Sequence, residues 1–290
     1  MEIREPINAG DYQDRDIKAA FVALIELGQI LKPFEKSYVI VGGSVPWLLL
    51  DHGKPPHLGT LDIDIGLNPE DLDDGQYATL VETLERAGYR RDLEGLKPFQ
   101  LLKLVDTHDG GDPVPVIVDL LAPKGVKLKG NKPQLVQGLR VQQVDGCGVA
   151  LRNHTSKQIK GKMPDGRPNT VELPVASIPA LLVMKGYALS GRDKMKDAYD
   201  IYYSVRNYRG GATKLGEDCK PLLADPIAAE GFRLLASKFG EREDFGPVTV
   251  RRFLEEASPE FTDMEPEQIQ TDAFGQVDAF LRALGNPTAR

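Results

Sequence analysis

The sequence predicts an α+β protein, with a mixed or antiparallel sheet flanked by helices and an all-helical C-terminal part. Three observations predict it. Short apolar runs of strand length recur between Tyr38 and Val144, with helical spacing between them. From Ser177 onward the apolar residues follow the helical period alone. The 290 residues are 41% apolar and 27% charged, enough to bury a sizeable core and unlike a disordered, collagen-like or coiled-coil chain. That length leans toward two domains, and the change of pattern divides the chain into 1–174 and 175–290.

The elements follow in order. Ile17, Ala20, Phe21, Leu24, Ile25 and Ile30 share one helical stripe, so Asp16 to Leu31 reads as a helix ending before Pro33. Tyr38 to Val41 is a short apolar strand running into Gly42-Gly43-Ser44. Val45 to Leu50 reads as a short helix with Pro46 in its first turn. Leu61 to Leu67 is a strand, and Pro69 to Ala87 a helix stopped by Gly88. Phe99–Val105 and Val114–Leu121 are strands joined by a polar, Gly-rich turn. Lys124 to Lys132 is a basic loop. Leu139–Val144 and Cys147–Arg152 read as a hairpin about Asp145-Gly146. His154 to Thr170 is polar and weakly patterned. Ser177 caps a helix to about Leu189, and Asp193 caps the next, from Lys194 to Asn207. A Gly-rich link from Arg209 to Gly216 leads to helices at Pro226–Lys238, Val248–Ala257 and Pro266–Leu284.

Charge is unevenly spread. Pro123 to Lys214 holds 17 Lys and Arg against 6 Asp and Glu, a net +11, so the rest of this −7 chain carries −18. Such asymmetry suits an anionic partner, and equally a solvated basic surface. No apolar run reaches the roughly 18 residues needed to cross a bilayer. The charged start has no secretory pattern, and Cys147 and Cys219 form neither a disulfide framework nor a zinc site. The expectation is a reduced, cytoplasmic protein without membrane contact.

The chemistry concentrates in two short motifs. Residues two apart on a strand share a face, so Asp62 and Asp64 point the same way while Ile63 and Ile65 pack inward. Two neighbouring half-buried carboxylates repel unless a cation lies between them, and hard oxygen ligands suit Mg²⁺. Upstream, the Gly42-Gly43-Ser44 turn lets a phosphate approach the backbone, with the Ser44 hydroxyl as a further ligand. Asp119 is the single acid in the apolar run Val116 to Leu121, and a lone acid there needs a partner. Later in the chain, Lys185 shares a helix with Leu181, Leu182 and Leu189, so its base lies near the core and its ammonium needs an anion. Arg192, Lys194 and Lys196 crowd the start of the next helix, where anions are favoured. Lys196 and Asp200 have the spacing of an ordinary i,i+4 pair. His52, His57, His108 and His154 lack metal-ligand spacing and read as loop histidines facing solvent. Tyr199, Tyr202 and Tyr203 could stack a base, although helix packing is the commoner role.

The apolar-Gly-Gly-Ser turn, the Asp62-Ile63-Asp64 strand and the later strand acid Asp119 together resemble the nucleotidyltransferase superfamily that includes DNA polymerase beta. Lys185-Gly186-Tyr187-Ala188-Leu189, Arg192 and Lys196-Asp197-Ala198-Tyr199-Asp200-Ile201 resemble the signature of its AbiEii/AbiGii toxin group. The resemblance spans roughly Tyr38 to Asn207. Where members of the group carry an Arg ahead of the paired acids, this chain has Lys54 to Gly59, leaving Lys54 or His57 to stand in.

The resemblance implies a nucleotidyltransferase sheet in which Asp62, Asp64 and Asp119 hold two Mg²⁺ ions, with Asp119 also placed as general base. It implies that Gly42, Gly43 and Ser44, with Lys185, Arg192 and Lys196, bind the triphosphate of an NTP. The helical part would contribute Lys185 and Asp197 to the site. It further implies a toxin of a toxin–antitoxin or phage-defence pair, with an RNA or tRNA acceptor and a possible cognate antitoxin. Two other readings remain open: a small-molecule nucleotidyltransferase of the antibiotic-modifying kind, and an inactive nucleotide- or partner-binding module. A cationic aminoglycoside would prefer an acidic pocket, which the basic segment does not offer.

Overall fold

The computed structural model describes residues 6–68, 70–72, 76–91, 93–125, 141–259 and 261–285. The basic residues Lys127, Lys129 and Lys132 lie outside them, as does the start of the expected strand at Leu139. The chain divides into two compact units. One comprises Gln13–Ser44 and Thr60–Ala176. The other comprises the segment ending at Tyr12, Val45–Gly59, and the chain from Ser177 onward.

The first unit is built on a seven-stranded mixed sheet. Its strands are β1 (Tyr38–Val41), β2 (Asp62–Leu67), β3 (Gln100–Val105), β4 (Val114–Pro123), β5 (Gln142–Val144), β6 (His154–Lys162) and β7 (Pro168–Ala176). The order is β3-β4-β2-β1-β7-β6, with β5 alongside β4. β1 runs antiparallel to β2, and β2 runs parallel to β4. The helices of this unit include α1 (Asp14–Ile30), α3 (Gln76–Arg86) and α4 (Cys147–Arg152), while α2 (Ser44–Leu49) begins where the chain leaves it. α1 lies against β4, β6 and β7, and its buried stripe includes Ala20, Leu24 and Leu27. Removing such side chains from water stabilises by about 1.5–3 kcal/mol for each large one, which is what fixes α1 on the sheet.

The second unit is helical: α5 (Ile178–Gly191), α6 (Met195–Asn207), α7 (Gly211–Cys219), α8 (Pro226–Ala236), α9 (Phe245–Leu254) and α10 (Pro266–Leu284). Ser177 caps α5 by accepting from the Ala180 amide at 3.3 Å. Asp225 caps α8 in the same way, accepting from Ile227 and Ala228. α5 and α8 cross closely, because a Cβ on Gly186 would run into the Gly231 carbonyl. That crossing fixes the helix carrying Lys185.

Four local expectations fail for physical reasons. Cys147–Arg152 is a helix, not the second strand of a hairpin. Its buried Cys147, Val149 and Ala150 satisfy both the two-residue and the three-residue spacing over so short a run. The strand before it pairs parallel with β4 instead. His154 to Ala176 is a β-hairpin, β6 with β7. β6 ends the strand order and buries only Ile159 deeply among its residues, so it shows almost no apolar alternation. Arg209 to Gly216 is largely helix: α7 buries Ala212, Leu215, Gly216 and Cys219 against α10, and its glycines hide the period. Asp193 does not cap α6: the N-cap is Lys194, and no side-chain hydrogen bond caps the helix there.

Candidate functional site

In the sheet unit, three carboxylates share one face. Asp62 and Asp64 are half-buried on β2, between fully buried Ile63 and Ile65. On β4, Ile117 and Asp119 are half-buried between Val116, Val118 and Leu120. The parallel register sets Asp62 beside Ile117 and Asp64 beside Asp119. Register partners on adjacent strands point to the same side, so all three acids do. Each of the outer two is held by a neighbour: Thr60 Oγ1 donates to Asp62 Oδ1 at 2.8 Å, and Gln100 Nε2 donates to Asp119 Oδ1 at 2.9 Å.

The turn after β1 meets this face. Val41 is the register partner of Asp64, and the next residue, Gly42, has φ +67°. A Cβ at Gly42 would fall on the Asp64 carboxylate. Glycine is therefore required twice, by backbone conformation and by the carboxylate lying on it. Two residues on, the Ser44 hydroxyl is buried without a hydrogen-bond partner among the described residues. An orphaned buried hydroxyl costs roughly 1–3 kcal/mol, and a phosphate oxygen would satisfy it. The donor set, three carboxylates on one face beside a glycine turn, has the hard-oxygen chemistry that suits a divalent cation. Among the described residues no three His, Cys, Asp or Glu side chains form a ready metal-binding group.

The helical unit holds a second constellation, a buried chain of charges. Lys185 Nζ lies 2.6 Å from Asp197 Oδ1 and 2.7 Å from Asp200 Oδ2. Lys196 Nζ donates to Asp200 Oδ1 at 2.6 Å, and Arg192 Nε donates to Asp197 Oδ2 at 2.8 Å. Lys185, Lys196, Asp197 and Asp200 are all buried, while the Arg192 side chain is 54% exposed. Burial alone would push the Lys185 ammonium down, but Asp197 and Asp200 hold it above the ordinary lysine range. Burial would likewise raise both aspartates. Lys185 with Arg192 outweighs it at Asp197, and Lys185 with Lys196 at Asp200, so both stay ionised below the usual carboxylate range.

Of the residues expected to bind a triphosphate, Lys185 and Lys196 thus neutralise carboxylates of α6, and Arg192 forms the exposed end of the chain. The pair Lys196–Asp200 has its i,i+4 geometry, but in the core rather than on a solvated face. Tyr199 and Tyr203 pack as core residues against the His57 ring, at centroid distances of 5.2 and 4.8 Å.

His57 corrects the reading of the histidines as solvent-facing loops. Its side chain is 1% exposed, and its Nε2 lies 3.0 Å from Asp200 Oδ1. The partner stands 143 residues away in sequence, so no local pattern announces it. The other three histidines are exposed. Burial, followed by the nearby Lys196 charge, lowers the His57 pKa to about 4, against the opposing bond to Asp200.

This sets the pH response of stability. The unfolded chain protonates His57 near its ordinary value of about 6.5, whereas the folded chain does not until about pH 4. Stability is therefore present above pH 6.5 and falls with pH by about 3 kcal/mol in all between 6.5 and 4. Below that, protonation of the depressed Asp197 and Asp200 removes more. Urea unfolding followed by fluorescence of Trp47, the single tryptophan, should show this slope, and His57→Gln should flatten it. A stability independent of pH between 4 and 6.5 in the native chain would contradict the buried neutral imidazole.

Comparison with known proteins bears on the second constellation directly. Residues 147–282 match the family model described as nucleotidyl transferase AbiEii toxin, type IV toxin–antitoxin system. The match contains Lys185, Arg192, Lys196, Asp197 and Asp200. Gly42 to Ser44, Asp62, Asp64 and Asp119 precede it. No curated protein matches the chain. Over residues 147–282, the chain is similar to the AbiEii family of nucleotidyl transferase toxins.

Proposed function

We propose that this enzyme transfers a nucleoside monophosphate from an NTP to an RNA acceptor, with Mg²⁺, as the toxin of a toxin–antitoxin pair. The observation that carries the reading is the shared face of Asp62, Asp64 and Asp119 with the Asp64 carboxylate on Gly42. These three residues would hold two Mg²⁺ ions. Held there, the ions would supply Lewis acidity to an attacking hydroxyl and positive charge to the leaving pyrophosphate. Ser44 and the Gly43 amide would hold the terminal phosphates, and Asp119 would accept the proton of the attacking hydroxyl. The Lys185–Asp197 pair, with Arg192 bound to the same aspartate, organises the α5–α6 turn around a guanidinium suited to an anion.

The acceptor reading draws on charge. Lys157, Lys160 and Lys162 lie on β6, with Lys160 and Lys162 exposed. A basic strand at the end of the strand order suits a polyanion and repels a cationic small molecule. The test is incubation of the protein with Mg²⁺, each labelled NTP and total RNA. Labelled RNA is expected, and no label with any of the four NTPs overturns the reading. Acceptor binding should weaken steeply with salt. Replacing Lys157, Lys160 and Lys162 with alanine should reduce the slope by about one unit for each phosphate that is no longer neutralised. Undiminished labelling and an unchanged salt slope in that triple variant would remove β6 from the RNA interface.

A further inference from the structure

Val45–Gly59 belongs to the helical unit, yet it leaves the sheet unit directly after Ser44 and returns directly before Thr60. Its two ends therefore adjoin the Gly-Gly-Ser turn and the strand of Asp62. Within the helical unit it is tied to α6 at four points. His52 Nε2 lies 3.1 Å from the Asn207 carbonyl, and the Tyr203 hydroxyl donates to the Pro55 carbonyl at 3.2 Å. The Leu58 amide donates to the Tyr199 hydroxyl at 3.2 Å, and His57 meets Asp200. Positions 199, 200, 203 and 207 lie along one side of a helix, so a single face of α6 holds the segment.

His57 differs from the other three ties because both of its ring nitrogens are engaged. Nδ1 lies 3.1 Å from the Gly59 amide nitrogen. An amide can only donate, so Nδ1 is the acceptor and carries no proton. The ring is then the neutral Nε2–H tautomer, and Nε2 donates to Asp200. On the far side of one peptide bond, Thr60 Oγ1 donates to Asp62 Oδ1. Within the helical unit the imidazole joins the Asp200 carboxylate to the Gly59 amide, and Gly59 is covalently followed by Thr60.

We propose that His57 is a positioning residue of the transfer reaction, bridging the Asp200 carboxylate and the Gly59 amide and so setting the backbone that presents Asp62. The proposal rests on the reading of Asp62 as a metal ligand. Two conservative variants separate the halves of the bridge. His57→Gln retains a donor toward Asp200 and loses the acceptor for Gly59; His57→Asn retains the acceptor and does not reach Asp200.

In the full chain, kcat for labelling of total RNA should fall about tenfold or more in each variant, since small misplacements of a reacting group are costly. The KM for NTP should stay within about threefold, because the groups that would hold the triphosphate are unchanged. Exchange of the Gly59 amide should quicken about tenfold in His57→Gln and hold in His57→Asn, with the Leu58 amide as internal control. Nitrogen chemical shifts of the unaltered chain should report the Nε2–H tautomer. An Nδ1–H tautomer, wild-type kcat in either folded variant, or Gly59 exchange that ignores both substitutions overturns the bridge. An unaltered chain that labels no RNA overturns the transfer reading and this role with it. Active variants of an active parent overturn the role alone.

Discussion

Replacing Asp62 or Asp64 with alanine is expected to abolish nucleotide transfer without unfolding the protein. A two-metal clamp supplies several kcal/mol of transition-state stabilisation, so loss of one ligand should lower the rate by roughly 10³-fold or more. Folding should survive, because both side chains are half-buried and the packing of this strand comes from Ile63 and Ile65. At Asp64 the substitution also removes a carboxylate from beside its register partner Asp119, so stability without metal should hold or rise slightly. At Asp62 it removes the carboxylate acceptor of the Thr60 hydroxyl, which keeps the carbonyl of residue 62 at 3.1 Å, so Asp62→Ala should be only slightly the less stable of the two. A second readout is independent of catalysis. Mg²⁺ should raise the melting temperature of the unaltered chain through binding to the native state, and this rise should vanish in both variants. Full transfer by both, or an unchanged Mg²⁺ response, would rule out the clamp.

The part of this site that lies on strands is legible in the sequence because a strand has one short period. Ile63 and Ile65 alternate with Asp62 and Asp64, and Val116, Val118 and Leu120 alternate with Ile117 and Asp119. The faces follow at once. What no alternation can supply is the register that sets Asp64 beside Asp119, since that depends on strands 55 residues apart. Lys185 is legible as a lysine needing an anion, and Asp200 as the partner of Lys196. Neither pattern shows that one carboxylate serves Lys185, Lys196 and His57 together. The β6–β7 hairpin escapes for the opposite reason. Its outer strand faces solvent over most of its length, so the pattern that marks a strand is barely written there.

The hub role of Asp200 carries the second large expected effect. Asp200→Ala would leave Lys185 with Asp197 alone, Lys196 without its carboxylate partner, and the His57 Nε2–H without an acceptor. Removing one member of a buried ion cluster costs about 3–5 kcal/mol, because the remaining charges have already lost their water. Lys185→Met should cost less. Asp197 would still accept from Arg192, and Asp200 from Lys196 and His57, while the methionine fills most of the vacated volume. Asp200→Asn should fall between them: it keeps an oxygen for His57 and Lys196 but loses one of the two carboxylate charges that face the Lys185 ammonium, Asp197 retaining the other. Urea midpoints followed by Trp47 fluorescence should therefore rank the unaltered chain first, then Lys185→Met, Asp200→Asn and Asp200→Ala. Were Lys185→Met the least stable of the four, Lys185 and not Asp200 would be the centre of the cluster. Were Asp200→Ala within about 1 kcal/mol of the unaltered chain, water would have to reach these charges, and the burial from which their pairing was argued would be wrong.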